Sequence, residues 1–373
     1  MKKSRMNSVK LTLALAAASM FIAACGGSSS PSDAANAPGA SILNGGGSSF
    51  VANLVDICSA QYNGDALVNP NKDIVSYSSV GSGTGKTNFA SGTYKFGATD
   101  SLYSSGAPDN FVYVPLVAGP IGIGYRLDGV TPANATLQLK AETVAKIFAG
   151  SIMMWNDPEI VDDNSSSQNA ISLPATPIIV AYRSGTSGTT NNFTDYLNKT
   201  SPGIWSKAAN DSFTTAFPLT LPTDGTFQAA SGSDGVANYV QDHNGAITYT
   251  ELSYLDERAA SGVKSAAVEN NSGEFVLPSS SASADFFADA AVDEAGTVTK
   301  DYMVKSATAY MINAIAYGLG YKTASADNAA VKSYFSFLLN TCSPENGAGA
   351  GYAPLSGSIL TKALAQVAKI NAN

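Results

Sequence analysis

The sequence predicts an α/β fold of two lobes, because three segments share one order of apolar stretch, small-residue loop and helical pattern. The apolar stretches begin at Ile42, Ile74 and Pro177, and the loops after them are rich in glycine, serine and threonine. Ligands of open α/β sheets lie beyond the carboxyl ends of the strands, where such loops are found. Roughly 330 residues remain after the N-terminal segment, a length that suits two lobes. We therefore expect a ligand cleft lined by these loops.

The N-terminus has the pattern of a secretory signal over residues 1–24. An apolar run over residues 11–24 leads to small residues and Cys25, and it follows four basic residues: Lys2, Lys3, Arg5 and Lys10. Residues 22–26 resemble a bacterial lipoprotein signal, in which the cysteine is acylated and becomes the mature N-terminus; ordinary signal cleavage nearby is the alternative. The apolar run of roughly 14 residues is too short for a permanent membrane span. Residues 25–40 have the composition of a flexible tether, so we expect an exported periplasmic or cell-surface lipoprotein anchored at Cys25.

The composition excludes several classes of function. The formal net charge is −8 and charged residues are 13% of the chain, without a basic stripe that could neutralise a row of phosphates. Nucleic acid is therefore not an expected partner. A small anion is compatible with an acidic protein, because local dipoles and one or two charges govern a buried site. His243 is the single histidine, so we expect no catalytic residues, no metal and no cofactor.

The loop over residues 183–189 is the strongest candidate for an anion site. Residues 177–182 are apolar and β-branched, as in a buried strand, and residues 193–197 carry the apolar face of a following helix. The first N–H groups of a helix lack intrahelical partners and the macrodipole is positive there, which favours an oxyanion. Arg183 could add a planar fork of donors. The alternative is an N-capped helix after an ordinary turn.

Two further loops have the same context. Residues 42–50 place a glycine run before a helix, with Ser49 expected at the helix N-terminus. Residues 74–87 place a second glycine loop before a helix and end in the Gly-Lys-Thr order of a nucleotide-binding loop. Val80 stands where that motif requires its first glycine, so a nucleotide site is not expected.

Asp100 follows the apolar segment Phe96–Thr99 and would face the same cleft. An ionised carboxylate only accepts hydrogen bonds, so it repels any anion that has no proton to donate. The alternative is an N-cap for a helix from Ser101 onward.

Cys58 and Cys342 remain after Cys25 is set aside. Outside the cytoplasm such a pair can be oxidised, and a bridge would tie the C-terminal part of the chain to the N-terminal lobe. The alternative is two buried thiols.

Six motifs in series resemble the bacterial phosphate-binding proteins of the phosphate ABC importer. They are Gly45, Gly47, Ser49 and Phe50; residues 81–85; residues 96–100; residues 140–150 leading to 155–158; Arg183 with Ser187, Gly188 and Thr189; and residues 232–236 leading to 245–249. The resemblance implies a two-lobed periplasmic-binding fold of the second type, with interlobe crossings near Ile123 and residue 300. The implied division is a first lobe of residues 41–122, a second lobe of 123–299 and a return segment of 300–373.

The resemblance also implies the ligand and its partners. Ser49, Phe50 and Ser82 would donate to inorganic phosphate and Asp100 would accept its proton, while Arg183, Ser187, Gly188 and Thr189 would bind from the other lobe. A monomer would deliver phosphate to the permease subunits of an ABC importer, and would touch the membrane only through its lipid. The alternatives are a secreted or surface scavenging or sensing protein on the same fold, or an extracellular phosphatase. Family members commonly carry an acidic residue two positions after the arginine, where this chain has Gly185.

Overall fold

The structure is a computed structural model that describes residues 39–166 and 169–372. The predicted signal, Cys25 and nearly all of the predicted tether lie outside the described residues. Twelve strands are present in the described ranges: β1 (Ile42–Gly47), β2 (Ile74–Ser79), β3 (Phe96–Thr99), β4 (Phe111–Tyr125), β5 (Gln138–Leu139), β6 (Ile179–Arg183), β7 (Phe227–Ala230), β8 (Ala246–Glu251), β9 (Lys264–Ser265), β10 (Ala267–Glu269), β11 (Phe275–Val276) and β12 (Asn313–Tyr321).

Helices alternate with these strands over much of the chain. In the same ranges they are α1 (Ala52–Gly64), α2 (Ser82–Ala90), α3 (Ala141–Phe148), α4 (Pro158–Asp163), α5 (Gly188–Thr200), α6 (Phe213–Ala216), α7 (Gly232–Asp242), α8 (Leu252–Asp256), α9 (Ser280–Phe286), α10 (Ala326–Phe337), α11 (Ser343–Asn346) and α12 (Gly357–Lys369). A short 3-10 turn covers Ala259–Ser261, and a π-helical turn covers Leu338–Cys342. None of the helices in the described ranges is both long and apolar enough to cross a bilayer.

The main sheet has the order β2-β1-β3-β12-β4-β8-β6-β7, with β9 also paired to β4. The β2, β1 and β3 strands are mutually parallel, as are β8, β6 and β7, whereas β12 and β4 run antiparallel to their neighbours. Parallel strands joined through helices place their carboxyl ends, and the loops after them, at one edge of the sheet. This arrangement brings the predicted ligand loops together.

One long strand connects the two halves of the sheet. Residues 111–120 of β4 pair with β12, and residues 121–125 pair with β8. We call the part with β2, β1, β3 and β12 the first sheet half, and the part with β8, β6 and β7 the second sheet half. The change of partner lies close to the crossing expected near Ile123, while the lobe boundaries themselves stay a prediction.

Side chains that pack around the site are anchored in the core. In the second sheet half, α7 buries Val236 and Val240 against Ala181 and Ala246 of the neighbouring strands. Burial of such apolar side chains stabilises by roughly 25 cal/mol per Å². This packing fixes the first turn of α7 above the end of β6.

Cys58 of α1 and Cys342 are both buried and are joined by a disulfide with an S–S distance of 2.04 Å. The bridge links residues 284 positions apart in sequence. It holds the end of α10 and its π-helical turn against α1, where Tyr62 and Tyr334 also pack edge to face.

Candidate functional site

Asp100 lies at the end of β3 and is buried, with 4% of its surface exposed. The Ser48 hydroxyl donates to its Oδ1 over 2.5 Å, the Ser82 hydroxyl approaches Oδ2 at 3.4 Å, and the Asp100 N–H donates to Ser82 Oγ over 3.2 Å. Burial raises the pKa of Asp100 to about 7, against the opposing effects of the Ser48 hydroxyl and the Arg183 charge. The carboxyl group therefore exchanges a proton near neutral pH. No helix starts at Ser101, so the N-cap alternative for Asp100 is wrong.

The first glycine loop differs in detail from the prediction. Its helix begins at Ala52 with Val51 as N-cap, so Ser49 lies in the preceding turn and does not start the helix. A glycine at position 47, with φ of 141°, lets the loop turn tightly there. Phe50 has a fully buried ring, and its N–H donates to Ser48 Oγ over 3.1 Å. Sequence reasoning missed Ser48, which is the closest hydroxyl partner of Asp100.

The second glycine loop is shorter than predicted: Gly81 is the N-cap and Ser82 is the first residue of α2, so Gly83 and Gly85 lie inside the helix and not in a loop before it. Lys86, the lysine of the nucleotide-loop resemblance, does not point at an open anion site. Its ammonium forms a 2.9 Å ion pair with Asp211 and also donates to Ser101 Oγ over 3.0 Å. Lys86 therefore links α2 to the segment before α6.

Arg183 is the last residue of β6, and 4% of its surface is exposed. Its Nη1 donates to Ser233 Oγ over 3.1 Å, while its Nε has no hydrogen-bond partner within the described part of the chain. Ser233 Oγ also lies 2.8 Å from Ser49 Oγ. A single hydroxyl of α7 thus connects the arginine of the second sheet half to a loop of the first.

The helix after Arg183 is capped as the alternative interpretation proposed. Ser187 is the N-cap of α5, and its Oγ accepts the Thr190 N–H over 3.2 Å. This cap and an anion site are compatible, because one side-chain oxygen satisfies one of the four N–H groups that a helix N-terminus leaves open. The Thr189 hydroxyl is buried and has no partner among the described residues. The N-terminus of α5 therefore retains donor capacity next to Asp100.

Gly188 lies in direct contact with the other side of the cleft. A Cβ placed on it would come within 2.7 Å of Asp100 Cβ and of Ser82 Oγ. Asn192, one turn later on α5, donates to the Asp100 carbonyl over 2.7 Å. Of the predicted site residues, Gly188 of the second sheet half is thus in contact with Asp100 and Ser82 of the first, while Ser49 meets Ser233, which was not predicted.

Two residues near Arg183 were not identified as site residues from the sequence. Glu251, at the end of β8, is 1% exposed, and Ser233 lies in the first turn of α7. Burial raises the pKa of Glu251 to about 7, whereas the Arg183 charge and the Ser233 hydroxyl act to lower it. Their signal in the sequence was their position, because Ser233 belongs to the last of the six motifs and Glu251 lies two residues after its end.

The donor set suits a small oxyanion that still carries a proton. It combines a guanidinium, hydroxyls and the N-terminus of α5 with one protonatable carboxyl, Asp100. In the described ranges no group of three or more His, Cys, Asp or Glu side chains is arranged to hold a metal ion.

Comparison with known proteins agrees with the motif resemblance. Residues 32–341 match the PBP superfamily domain. The chain is 38% identical over 188 residues to phosphate-binding protein PstS 2 of Mycobacterium tuberculosis, covering 48% of this chain and 46% of that protein. It is 32% identical over 262 residues to phosphate-binding protein PstS of Xylella fastidiosa, covering 70% of this chain and 65% of that protein. The matches thus span about half to two thirds of these relatives, which are named as binding proteins and not as enzymes.

Solved structures show the same fold at low identity. The periplasmic phosphate-binding protein PfluDING, solved with bound phosphate, has a TM-score of 0.68 and 22% identity, covering 87% of this chain and 93% of that chain. A phosphate-binding protein from Stenotrophomonas maltophilia has a TM-score of 0.62 and 21% identity, covering 87% of this chain and 94% of that chain. The chain therefore belongs to the PBP superfamily and has the two-lobed periplasmic-binding fold of the second type.

Proposed function

We propose that this protein captures inorganic phosphate between the two sheet halves and delivers it to an ABC importer. The observation that carries the proposal is Asp100, a buried carboxyl group placed against Gly188 at the N-terminus of α5. A carboxylate in an otherwise electropositive site selects an anion that can donate a proton to it. Phosphate carries such a proton near neutral pH, and sulfate does not.

The proposed ligand set is the one that the motif resemblance implies. Ser49, Phe50, Ser82 and Asp100 would bind from the first lobe, and Arg183, Ser187, Gly188 and Thr189 from the second. Hydrogen bonds to charged groups contribute about 1.5–3 kcal/mol each. A handful of them exceeds the ~8 kcal/mol of a micromolar site and offsets the costs of ordering and desolvation.

The lobe division expected from the sequence is part of the proposal. Residues 41–122 and 300–373 would form one lobe and residues 123–299 the other, with the ligand between them. The position where β4 changes its pairing partner supports the first crossing. Export and acylation of Cys25 would keep the mature protein at the membrane that holds its permease.

Calorimetry on the purified mature protein at pH 8 tests the ligand, because the carboxyl group of Asp100 is ionised above its raised pKa of about 7. We expect binding of phosphate and at least about a hundredfold weaker binding of sulfate, because a site built around an obligatory hydrogen bond strongly rejects an analogue that lacks the proton. Equal affinity for the two anions would remove this role from Asp100.

A pair of arginine variants tests the site. Arg183→Ala should weaken phosphate binding at least about tenfold, through loss of a charge-assisted donor. Arg126→Ala is the matched control, since Arg126 bonds the Gln241 carbonyl near the opposite end of β8. An unchanged affinity of the Arg183 variant would place phosphate elsewhere.

Delivery to an importer needs a separate measurement. Deletion of the protein should lower phosphate uptake by cells at micromolar phosphate, and a Cys25→Ser variant should be released from the membrane fraction. Unchanged uptake after deletion would favour a scavenging or sensing role.

A further inference from the structure

Arg183 poses an energetic problem that the ligand contacts alone do not solve. Its side chain is buried, and no carboxylate in the described part of the chain lies within ion-pair distance of it. Burying a charge without compensation costs several kcal/mol, on the order of its desolvation penalty. Gly185, two residues along the loop, has no side chain to supply a counter-charge. The compensation must therefore come from another element.

Glu251 lies on the neighbouring strand, one residue beyond the position opposite Arg183. The β6 and β8 strands are parallel, with Ile179 opposite Ala246 and Val180 opposite Ile247. Arg183 ends β6 and Glu251 ends β8, so both side chains belong to the same edge of the sheet. The Thr250 hydroxyl donates to Glu251 Oε2 over 2.9 Å.

The remaining oxygen of Glu251 is buried without a partner. Oε1 has no hydrogen-bond partner among the described residues, although the side chain is 1% exposed. Buried carboxylate oxygens of this kind are rare unless a nearby positive charge compensates them. Arg183 Nε is likewise without a partner in the same part of the chain.

Ser233 stands between the two charged groups. Its Oγ accepts a hydrogen bond from Arg183 Nη1 over 3.1 Å. Burial raises the pKa of Glu251, and the Arg183 charge and the Ser233 hydroxyl both lower it by a smaller amount. A hydroxyl can accept from one neighbour while it donates to another. Ser233 is thus able to couple the guanidinium to the carboxylate.

The other nearby carboxylates already have partners. Asp211 pairs with Lys86 over 2.9 Å, and Asp234 pairs with Arg258. Asp100 is held by Ser48 and Ser82. These contacts leave Glu251 as the buried carboxylate available to Arg183 in the described ranges.

We propose that Glu251 is a positioning residue that holds the guanidinium of Arg183 in place through Ser233, and this rests on the proposed function of Arg183 in phosphate binding. Glu251 supplies the counter-charge that residue 185 does not. It acts on the anion only through the arginine, because a carboxylate in contact with phosphate would repel it.

The first test uses phosphate-free protein near pH 8, above the raised pKa of Glu251, where the carboxylate is ionised. Denaturant unfolding is measured for Glu251→Gln, Arg183→Met and the double variant. We expect the two substitutions to be non-additive, with a coupling of at least about fivefold in the unfolding equilibrium constant. Additive effects would overturn the proposal, whether or not the protein binds phosphate.

The second test is phosphate calorimetry on Glu251→Gln. The variant keeps the size of the side chain and removes its charge, and we expect affinity to fall at least about tenfold. Glu257→Gln is the control, because Glu257 is a solvent-exposed carboxylate just beyond α8. Wild-type affinity for Glu251→Gln would overturn the positioning role.

Rescue separates positioning from a purely structural role. A Cβ added at Gly185 meets no atom within 4 Å, so an acidic side chain can be placed there without a clash. We expect Gly185→Asp to restore most of the affinity lost in Glu251→Gln, while the single Gly185→Asp variant stays close to wild type. Failure of this rescue would overturn the proposal. If the wild-type protein bound no phosphate, the proposed function would be refuted instead, and the unfolding experiment with the Glu251 and Arg183 variants would still decide whether the two side chains are coupled.

Discussion

Substitution of Gly188 by alanine tests whether the two sides of the cleft must touch for tight binding. A Cβ at this position would lie 2.7 Å from Asp100 Cβ, 2.7 Å from Ser82 Oγ and 2.9 Å from the Asp100 carbonyl carbon. Carbon atoms in contact prefer about 3.5–4.0 Å. The cleft must therefore open by roughly 0.7 Å or more at this point, since one of the obstacles is backbone.

The expected loss of phosphate affinity follows from the hydrogen bonds that span the contact between Gly188 and Asp100. The Asn192 amide reaches the Asp100 carbonyl over 2.7 Å, and an extra 0.7 Å or so takes such a bond toward the limit of useful geometry. Loss of two charge-assisted bonds to the ligand, at about 1.5 kcal/mol each, amounts to about 3 kcal/mol. We therefore expect Gly188→Ala to weaken phosphate binding at least about a hundredfold.

Two controls isolate this effect. Gly188 is the first residue of α5, where alanine is the better helix former by about 0.5–1 kcal/mol, so the substitution itself favours the helix. Gly185→Ala adds the same methyl group in the same loop without any atom within 4 Å. Calorimetry should find the Gly185 variant close to wild type. If Gly188→Ala bound phosphate within about threefold of wild type, closure at this contact would not determine affinity.

Three other perturbations have defined outcomes. In the folded protein the pKa of Asp100 is about 7, above its ordinary value of 3.8. Protonated Asp100 therefore stabilises the folded state by on the order of 4 kcal/mol below about pH 4, and this contribution is lost as the pH rises through about 7. In urea unfolding of the phosphate-free protein, the unfolding free energy of Asp100→Asn should therefore fall less between pH 4 and pH 7 than that of the wild type. An equal pH dependence in the two proteins would contradict the raised pKa of Asp100. Lys86→Met leaves Asp211 without its cation across the cleft and should weaken phosphate binding about threefold to tenfold by calorimetry; an unchanged affinity would mean that this pair does not favour closure. The Cys58–Cys342 bridge joins residues 284 positions apart, and its reduction should lower the unfolding free energy by about 2–5 kcal/mol. An identical urea midpoint with and without reductant would refute this expectation.

Local sequence patterns located the elements of the site but not all of its contacts. The strand that ends at Arg183, the helix capped by Ser187 and the helix that follows Gly81 are each visible as runs of residues with a definite period or turn chemistry. The start of α1 was placed too early, because Val51 caps the helix with backbone geometry alone and without a side-chain hydrogen bond. Such a cap has no sequence signature.

Long-range partners were beyond the reach of local patterns. The sequence excluded a nucleotide loop around Lys86 but gave no partner for this lysine, which pairs with Asp211, 125 positions away. Ser48 and Ser49 are adjacent in sequence, but one bonds Asp100 and the other meets Ser233 from the second sheet half. Which of two neighbouring hydroxyls faces which partner depends on the turn of the backbone and on the packing of the opposite element.

The sequence by itself determined the α/β class and the strand-loop-helix order of the candidate ligand segments, and its motifs in series indicated the family. The class and the segments follow from short-range periodicity, glycine positions and helix termini, all of which act within a few residues. Only the tertiary structure decided that Asp100 is buried, which raises its pKa to about 7, that Gly188 lies in contact with it, and that Glu251 is buried at the end of the strand beside Arg183. Burial and charge pairing depend on which strands become neighbours, and that pairing joins residues far apart along the chain.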